Sequence, residues 1–124
     1  MSKNNEFKFE NLEVWQDSMD WSTEIYSLLD QLPKKEQYGL ADQLRRAASS
    51  VPLNIAEGSG KFSDKDFTRF LYNARGSLFE TVTCLKLAAN LNYLKKSEIR
   101  DSIKTAHKIH KKLEALIKYL KEND

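Results

Sequence analysis

Apolar residues recur at intervals of three and four along almost the whole chain, and this spacing is the strongest constraint on its fold. The interval matches the turn of an α-helix, so each such stretch presents one apolar face. Only four residues are glycine and two are proline, which leaves few turns for β-structure. Breaks in the pattern separate four long stretches that we predict to be helices. They span residues 12–32, about 36–57, about 64–91, and 97 onward.

Four long helices joined by short links predict an all-α, up-and-down antiparallel four-helix bundle. The chain of 124 residues fits a single domain, preceded by a polar lead-in at residues 1–10 from which Phe7 and Phe9 could dock on the body. Asn11, Ser63 and Ser97 are predicted to cap the first, third and fourth helices.

The first predicted helix is apolar over an unusually large part of its circumference. Two apolar stripes lie side by side on it, so the helix presents more apolar surface than one neighbouring helix can cover. We therefore expect the protein to self-associate. The two stripes consist of Leu12, Trp15, Met19, Ser22, Tyr26 and Leu29, and of Trp21, Ile25, Leu28 and Leu32. The fourth helix has a narrower heptad seam. Its residues are Ile99, Ile103, Ala106, His110, Leu113, Ile117 and Leu120.

Pro52 stands inside the second predicted helix. Proline lacks an N–H and crowds the carbonyl of Ala48, at a cost of about 3 kcal/mol in a helix interior. We expect a nearby polar side chain to satisfy that carbonyl. The candidates are Ser49, Ser50 and Asn54.

Three glycines have predicted roles. Gly58 and Gly60 are expected to end the second helix. Gly76 lies inside the third, where it costs about 1 kcal/mol relative to alanine, so we expect another backbone to approach it closely.

Polar side chains form one stripe on the second helix and another on the third. Antiparallel packing would place Arg45 or Arg46 against Glu80, and would place Ser50 or Asn54 against Ser77 or Asn73. We interpret this set as a network that fixes helix register or a subunit interface; a ligand or nucleic-acid site and a catalytic site are the alternatives. The set comprises Arg45, Arg46, Ser50, Asn54, Glu57, Asn73, Ser77 and Glu80.

Positive charge is concentrated near the carboxyl end, although the net charge is only +2. Residues 1–94 hold 11 Lys/Arg against 13 Asp/Glu, whereas residues 95–124 hold 9 against 5. A basic stripe on the fourth helix is a candidate contact surface for the phosphates of RNA or DNA, and a solvated lysine face is the alternative. The stripe comprises Arg100, Lys104, Lys108, Lys111 and the flanking Lys112. No exposed aromatic residues interleave with it.

Few residues suggest metal or catalytic chemistry. His107, His110 and Glu114 could lie near one another on the fourth helix, but the Glu-x-x-His motifs of bundle metal sites are missing from the sequence. Cys84 has no histidine near it in sequence and is expected to be a small core residue. We therefore expect no metal, no cofactor and no enzymatic activity.

A single cysteine excludes an intramolecular disulfide. No apolar run approaches the ~20 residues of a membrane span. The amino-terminal ten residues lack the apolar core of a signal peptide. These features predict a cytoplasmic protein without a membrane partner.

Four segments resemble a known family. They are residues 9–16, which read FENLEVWQ, residues 43–47, which read QLRRA, residues 50–58, which read SVPLNIAEG, and residues 74–80, which read ARGSLFE. The chain resembles the 23S rRNA intervening-sequence proteins, also called the S23 family, over nearly its whole length. The proline-centred segment is the most specific, and the fourth helix matches only by pattern.

The resemblance implies a bacterial four-helix bundle that assembles into a homopentameric ring. A related branch, the accessory variability determinant of diversity-generating retroelements, binds RNA and a reverse transcriptase, while most members have no assigned function. We therefore expect a non-enzymatic, oligomeric adaptor that binds RNA. The alternative is a structural or protein-interaction ring without affinity for nucleic acid.

Overall fold

The computed structural model describes residues 7–123 and contains four long α-helices. They are α1 (Glu13–Leu28), α2 (Leu40–Ser59), α3 (Asp64–Asn90) and α4 (Lys96–Glu122). Each helix packs on its neighbour in sequence, and α1 also packs on α4, so the four enclose one core. No strand occurs among the described residues. The predicted four-helix bundle is confirmed. Of the polar lead-in at 1–10, residues 1–6 lie outside the described part.

The helix starts follow local hydrogen bonding. Ser63 caps α3 as predicted, because its hydroxyl accepts the Asp66 N–H at 3.1 Å. The predicted cap of α4, Ser97, was wrong. Lys95 occupies the cap position, and the Glu98 carboxylate accepts the Lys95 backbone N–H at 2.7 Å. Ser97 therefore lies inside the first turn. Helix α1 likewise begins after Leu12, since Asn11 closes a preceding 3-10 turn, Lys8–Asn11.

The link between α1 and α2 is longer than predicted and contains two 3-10 turns, Leu29–Gln31 and Lys34–Glu36. Helix α2 begins at Leu40 rather than near residue 36. The Glu36 carboxylate accepts the Leu40 N–H at 3.2 Å and the Tyr93 hydroxyl at 2.9 Å. These bonds favour the charged form and lower the pKa of Glu36. One carboxylate thus ties the start of α2 to the loop after α3.

The core is anchored on the side of α1 that faces α4. Trp21 is fully buried, and its indole N–H donates to the Ser102 carbonyl at 2.9 Å. Ile25 is also fully buried, whereas Met19 and Tyr26, from the other predicted stripe, remain 41% and 44% exposed. The two apolar stripes of α1 therefore have different environments: one fills the core and the other lies partly at the surface.

The seam of α4 also differs from the heptad prediction. Ser102 and Ile109 are buried, while Ile103 and His110 are only half-buried at its border. The backbone carbonyl of Ser102 accepts the Trp21 indole N–H at this position. The remaining predicted seam residues are buried, namely Ile99, Ala106, Leu113, Ile117 and Leu120.

The predictions for Gly58 and Gly76 were both wrong. Gly58 is a buried residue within α2, which continues to Ser59. A Cβ built at Gly58 would lie 2.7 Å from the Phe70 Cβ and 3.0 Å from the Phe67 Cδ1, so α2 and α3 make their close approach there. A Cβ at the exposed Gly76 would meet no atom within 4 Å. Sequence position alone cannot distinguish these roles, because both residues are glycines within helical sequence.

Pro52 lies within α2, as predicted, and it is buried. Pro52 has no N–H to donate to the Ala48 carbonyl, and among the described residues the expected side-chain bond to that carbonyl is not formed. The neighbouring side chains of Ser49 and Asn54 donate to other carbonyls. Ser49 donates to the Arg45 and Arg46 carbonyls, at 2.9 and 3.2 Å. Asn54 donates to the Ser50 carbonyl at 2.8 Å.

Across the described residues, no helix has the length and apolar character needed to cross a membrane.

Candidate functional surfaces

The basic stripe on α4 is exposed. Arg100, Lys104, Lys108 and Lys111 are all exposed, and none of them forms an ion pair with any residue that the structure describes. Their span of 11 residues corresponds to about 16 Å along the helix axis. Because nothing in the described chain neutralises them, all four charges are available to an anionic partner.

Lys112 differs from these four residues. It is half-buried and donates to the carboxylates of Glu13 and Asp17 on α1. The hydrogen bond to Asp17, followed by that to Glu13, raises the pKa of Lys112. This residue therefore joins α1 to α4, which separates it from the four unpaired cations with which the sequence grouped it. The sequence could not reveal these contacts, since the partners lie 95 and 99 positions away.

The polar network between α2 and α3 is smaller than expected. The Ser77 hydroxyl donates to the Ser50 hydroxyl at 2.9 Å, and the Asn54 amide donates to that same hydroxyl at 2.9 Å. Asn73 is exposed and is not part of this set of bonds. Three small polar side chains thus join the two helices.

The predicted pairing of Arg45 or Arg46 with Glu80 does not occur. Asp42 accepts from Arg45 at 3.1 Å and from Arg46 at 3.0 Å. It lies one turn away from both arginines on the same helix, so the pairing requires little ordering of long side chains. Glu80 and Glu57 are exposed. The arginines therefore belong to the surface of α2 rather than to a network crossing to α3.

The proposed histidine set does not converge. His107 is exposed, and the ring of His110 packs edge-on against Phe79 with 5.2 Å between centroids. Glu114 accepts from Arg75 at 2.8 Å. Within residues 7–123 there is no group of three His, Cys, Asp or Glu side chains placed to hold a metal ion.

Cys84 is buried, as expected for a core residue. Burial, followed by the nearby charge of Glu80, raises the pKa of its thiol. A raised pKa keeps the sulfur protonated near neutrality, and the thiol is a much weaker nucleophile than the thiolate.

An apolar groove lies between α1 and α2, and the sequence predicted only part of it. It has a volume of about 560 Å³ and almost wholly apolar walls. Its wall on α1 includes Trp15, Met19 and Tyr26 from the partly exposed stripe. Phe9 also lines the groove, with its ring 5.1 Å from that of Trp15. The wall on α2, which was not predicted from the sequence, consists of Ser49, Pro52, Leu53 and Ala56. The unusual breadth of the apolar stripe on α1 was its only signal in the sequence.

A second cleft, which we call the Tyr72 cleft, lies between α3 and the last turns of α4. It has a volume of about 520 Å³ and combines one aromatic ring with several charges. Tyr72 and Arg75 come from α3, while α4 contributes Glu114, Ile117, Lys118, Lys121 and Glu122. It could not be predicted from the sequence, because these residues come together only when α3 and α4 pack.

Comparisons with known proteins agree with this architecture. The chain matches the family described as 23S rRNA-intervening sequence protein over residues 10–115. A solved structure from Bacteroides thetaiotaomicron, described as a protein of unknown function from the S23 ribosomal protein family, superposes with a TM-score of 0.78. It is 24% identical, and the match covers 85% of this chain and 98% of that one, a level of identity that supports the fold alone. No curated protein matches. Since the family match spans most of the sequence, the chain belongs to the 23S rRNA-intervening sequence protein family.

Proposed function

We propose that this protein is a non-enzymatic, cytoplasmic adaptor that assembles into a homopentameric ring and binds RNA through α4. The observation that carries the RNA-binding proposal is the row of four exposed cations, Arg100, Lys104, Lys108 and Lys111, which lack ion-pair partners among the described residues. Neutralising phosphates releases condensed counterions, so such a row favours binding that weakens with salt. Binding through this row would depend on charge more than on readout of the bases.

Assembly would make this modest surface effective. A ring repeats the α4 stripe on every copy, and the linked sites act at a high effective concentration. The apolar groove between α1 and α2 supports self-association, because exposed apolar surface of this kind is typical of interaction sites. Leu53, on its rim, is 65% exposed in the single chain. Covering it with another copy would remove apolar area from water.

The test neutralises part of the stripe and measures RNA binding at several salt concentrations. A triple variant, Lys104→Gln, Lys108→Gln and Lys111→Gln, should bind a stem–loop RNA more weakly. Each lost phosphate contact should reduce the slope of log K against log salt by about 0.7–0.9. The fold should persist, since all three side chains are exposed.

A matched triple variant controls for net charge. Lys34→Gln, Lys35→Gln and Lys65→Gln remove the same charge from exposed positions outside α4. This variant should keep the slope of the unmodified protein. Equal slopes for all three proteins, or no binding by the unmodified protein at low salt, would overturn the proposed role of α4.

The second candidate function is a structural or protein-interaction ring without affinity for nucleic acid. The apolar groove favours it independently of charge, and the net charge of +2 is small. A ring of normal mass that binds no RNA in the salt experiment would establish this alternative.

A further inference from the structure

We infer that the Tyr72 cleft binds an unpaired base of single-stranded RNA, with the tyrosine ring as the stacking surface. The inference rests on the RNA-binding function proposed above and names the form of RNA that this surface accepts. It depends on the arrangement of an aromatic ring, a guanidinium group and two lysines between α3 and α4.

The stacking groups are held in place by contacts within the chain. The Arg75 guanidinium carbon lies 4.7 Å from the centre of the Tyr72 ring, and Lys121 donates to the Tyr72 hydroxyl at 3.2 Å. Glu114 in turn accepts from Arg75 at 2.8 Å. Groups that are already ordered lose less entropy when a ligand binds, so this arrangement favours binding.

These contacts contribute little to the fold because they lie near the surface. Tyr72 is 37% exposed, and the side chains of Arg75 and Glu114 are 32% and 47% exposed. An exposed cation–π contact contributes about 0.5–1 kcal/mol, and an exposed ion pair contributes roughly 0–1 kcal/mol. The bundle would therefore fold without this cluster, and the cluster remains accessible to a ligand.

The chemistry of the cleft fits a nucleobase. Unpaired bases stack on aromatic rings and on arginine planes, and in this cleft the Arg75 guanidinium lies over the Tyr72 ring, so the two groups form one stacked unit. Ile117 adds an apolar wall, while Lys118 and Lys121 supply positive charge for the adjoining phosphates. Glu114 and Glu122 carry negative charge in the same cleft, so charge alone would not attract a phosphate chain into it. Stacking is the interaction that the cleft adds to the α4 stripe.

The cleft adjoins the basic stripe on α4. Lys118 lies seven residues beyond Lys111, which is two turns along the same helix face and about 10.5 Å along the axis. An RNA chain contacting the stripe would therefore pass the entrance of the cleft. A duplex keeps its bases paired and stacked within the helix, so only an unpaired nucleotide can place its base against Tyr72.

The experiment compares single-stranded RNA with a duplex of the same sequence, using the full chain. Tyr72→Ala should weaken binding of the single strand by about 5-fold to 150-fold, the loss of one base–aromatic stack. Binding of the duplex should not change. The salt slope should also stay constant, because the substitution removes a ring and no charge.

Two variants serve as controls. Tyr72→Phe keeps the ring and loses only the hydroxyl bonded to Lys121, so it should retain single-strand binding to within about 2-fold. Tyr38→Ala removes a ring that is 97% exposed outside the cleft, and its affinity should equal that of the unmodified protein. Thermal unfolding of each variant checks that the bundle remains folded.

A measurement on the unmodified protein avoids any folding defect of the variants. Single-stranded RNA containing 5-iodouridine, irradiated in the complex, should crosslink to the α3 peptide that contains Tyr72. Crosslinks found only on other peptides would overturn the inference. So would an unchanged single-strand affinity in Tyr72→Ala, or an equal loss with duplex RNA.

The outcomes separate this inference from the function on which it rests. If the triple lysine variant loses affinity but Tyr72→Ala does not, the α4 stripe binds RNA and the stacking site is wrong. If Tyr72→Ala loses single-strand affinity while the triple lysine variant does not, the cleft binds RNA and the role of the stripe is wrong. If the unmodified protein binds no RNA, both proposals are overturned.

Discussion

Helix α2 packs on α3 along one side and on α1 along the other, and the two sides are built differently. Towards α3 it presents small residues: Gly58 lies against Phe67 and Phe70, and Ser50 bonds to Ser77. Towards α1, large side chains such as Leu53 border a groove of about 560 Å³. The first side completes its packing within the chain. The second leaves apolar surface uncovered, which is why we assign self-association to it.

The largest expected effect comes from changing the open side. Leu53→Arg places a charge in the apolar groove, and burying an unpaired charge is strongly unfavourable, so copies should no longer associate. Because Leu53 is exposed in the single chain, the bundle itself should stay folded. Light scattering should give about five chains per particle for the unmodified protein and one for the variant.

Leu53→Met is the matched control, since it keeps the site apolar at similar volume and should retain the unmodified mass. An unmodified protein that is monomeric at micromolar concentration would refute assembly altogether. If Leu53→Arg keeps its full mass, the copies associate through another surface.

A smaller effect is expected on the closed side. Gly58→Ala adds a methyl group 2.7 Å from the Phe70 Cβ, so α2 and α3 must separate slightly. Overpacking of this kind destabilises by about 1–3 kcal/mol. Gly76→Ala is the comparison: it meets no atom within 4 Å, and it should stabilise α3 by about 0.5–1 kcal/mol. Urea denaturation of both variants measures the two changes, which should have opposite signs. Equal signs would contradict the contrast between the two glycines.

The smallest effect concerns the start of α2, which both sides share. The folded-state pKa of Glu36 is lowered, first by its bond to the Leu40 N–H and then by the Tyr93 hydroxyl. Its contribution to stability is therefore present above the ordinary glutamate pKa of about 4.3, and it is lost as the pH falls through the lower folded value. Glu36→Gln should reduce the difference in unfolding free energy between pH 7 and pH 3. An unchanged difference would show that the charge on Glu36 does not contribute to the pH dependence of the unfolding free energy.

Local patterns in the sequence predicted the four helices well, because helical periodicity depends on near neighbours. Of the three predicted caps only Ser63 is confirmed, where the partner Asp66 is three residues away. The predictions for Asn11 and Ser97 were wrong. Which surface a helix buries depends on packing. The two apolar stripes of α1 have similar periodicity, and only contact with α4 places Trp21 inside while Met19 remains partly exposed. The close helix approach predicted at Gly76 occurs at Gly58 instead, for the same reason.

The candidate surfaces were predictable to a different degree. The α4 stripe lies on one helix, so residue spacing alone identified its four exposed cations. Lys112 was misassigned because its partners on α1 are distant in sequence. The Tyr72 cleft could not be predicted, since Tyr72 and Lys121 are separated by 49 positions.

The two tryptophans of the chain lie six residues apart on α1, yet they have different surroundings. Trp21 is sealed in the core with its indole bonded to the Ser102 carbonyl, whereas the half-buried Trp15 lines the open groove. The protein therefore carries two intrinsic fluorophores that report separate events. Emission from Trp21 should change only when the bundle unfolds. Emission from Trp15 should change when the groove is filled or emptied, so the proposed assembly and its separation on dilution could be followed by fluorescence without any attached dye.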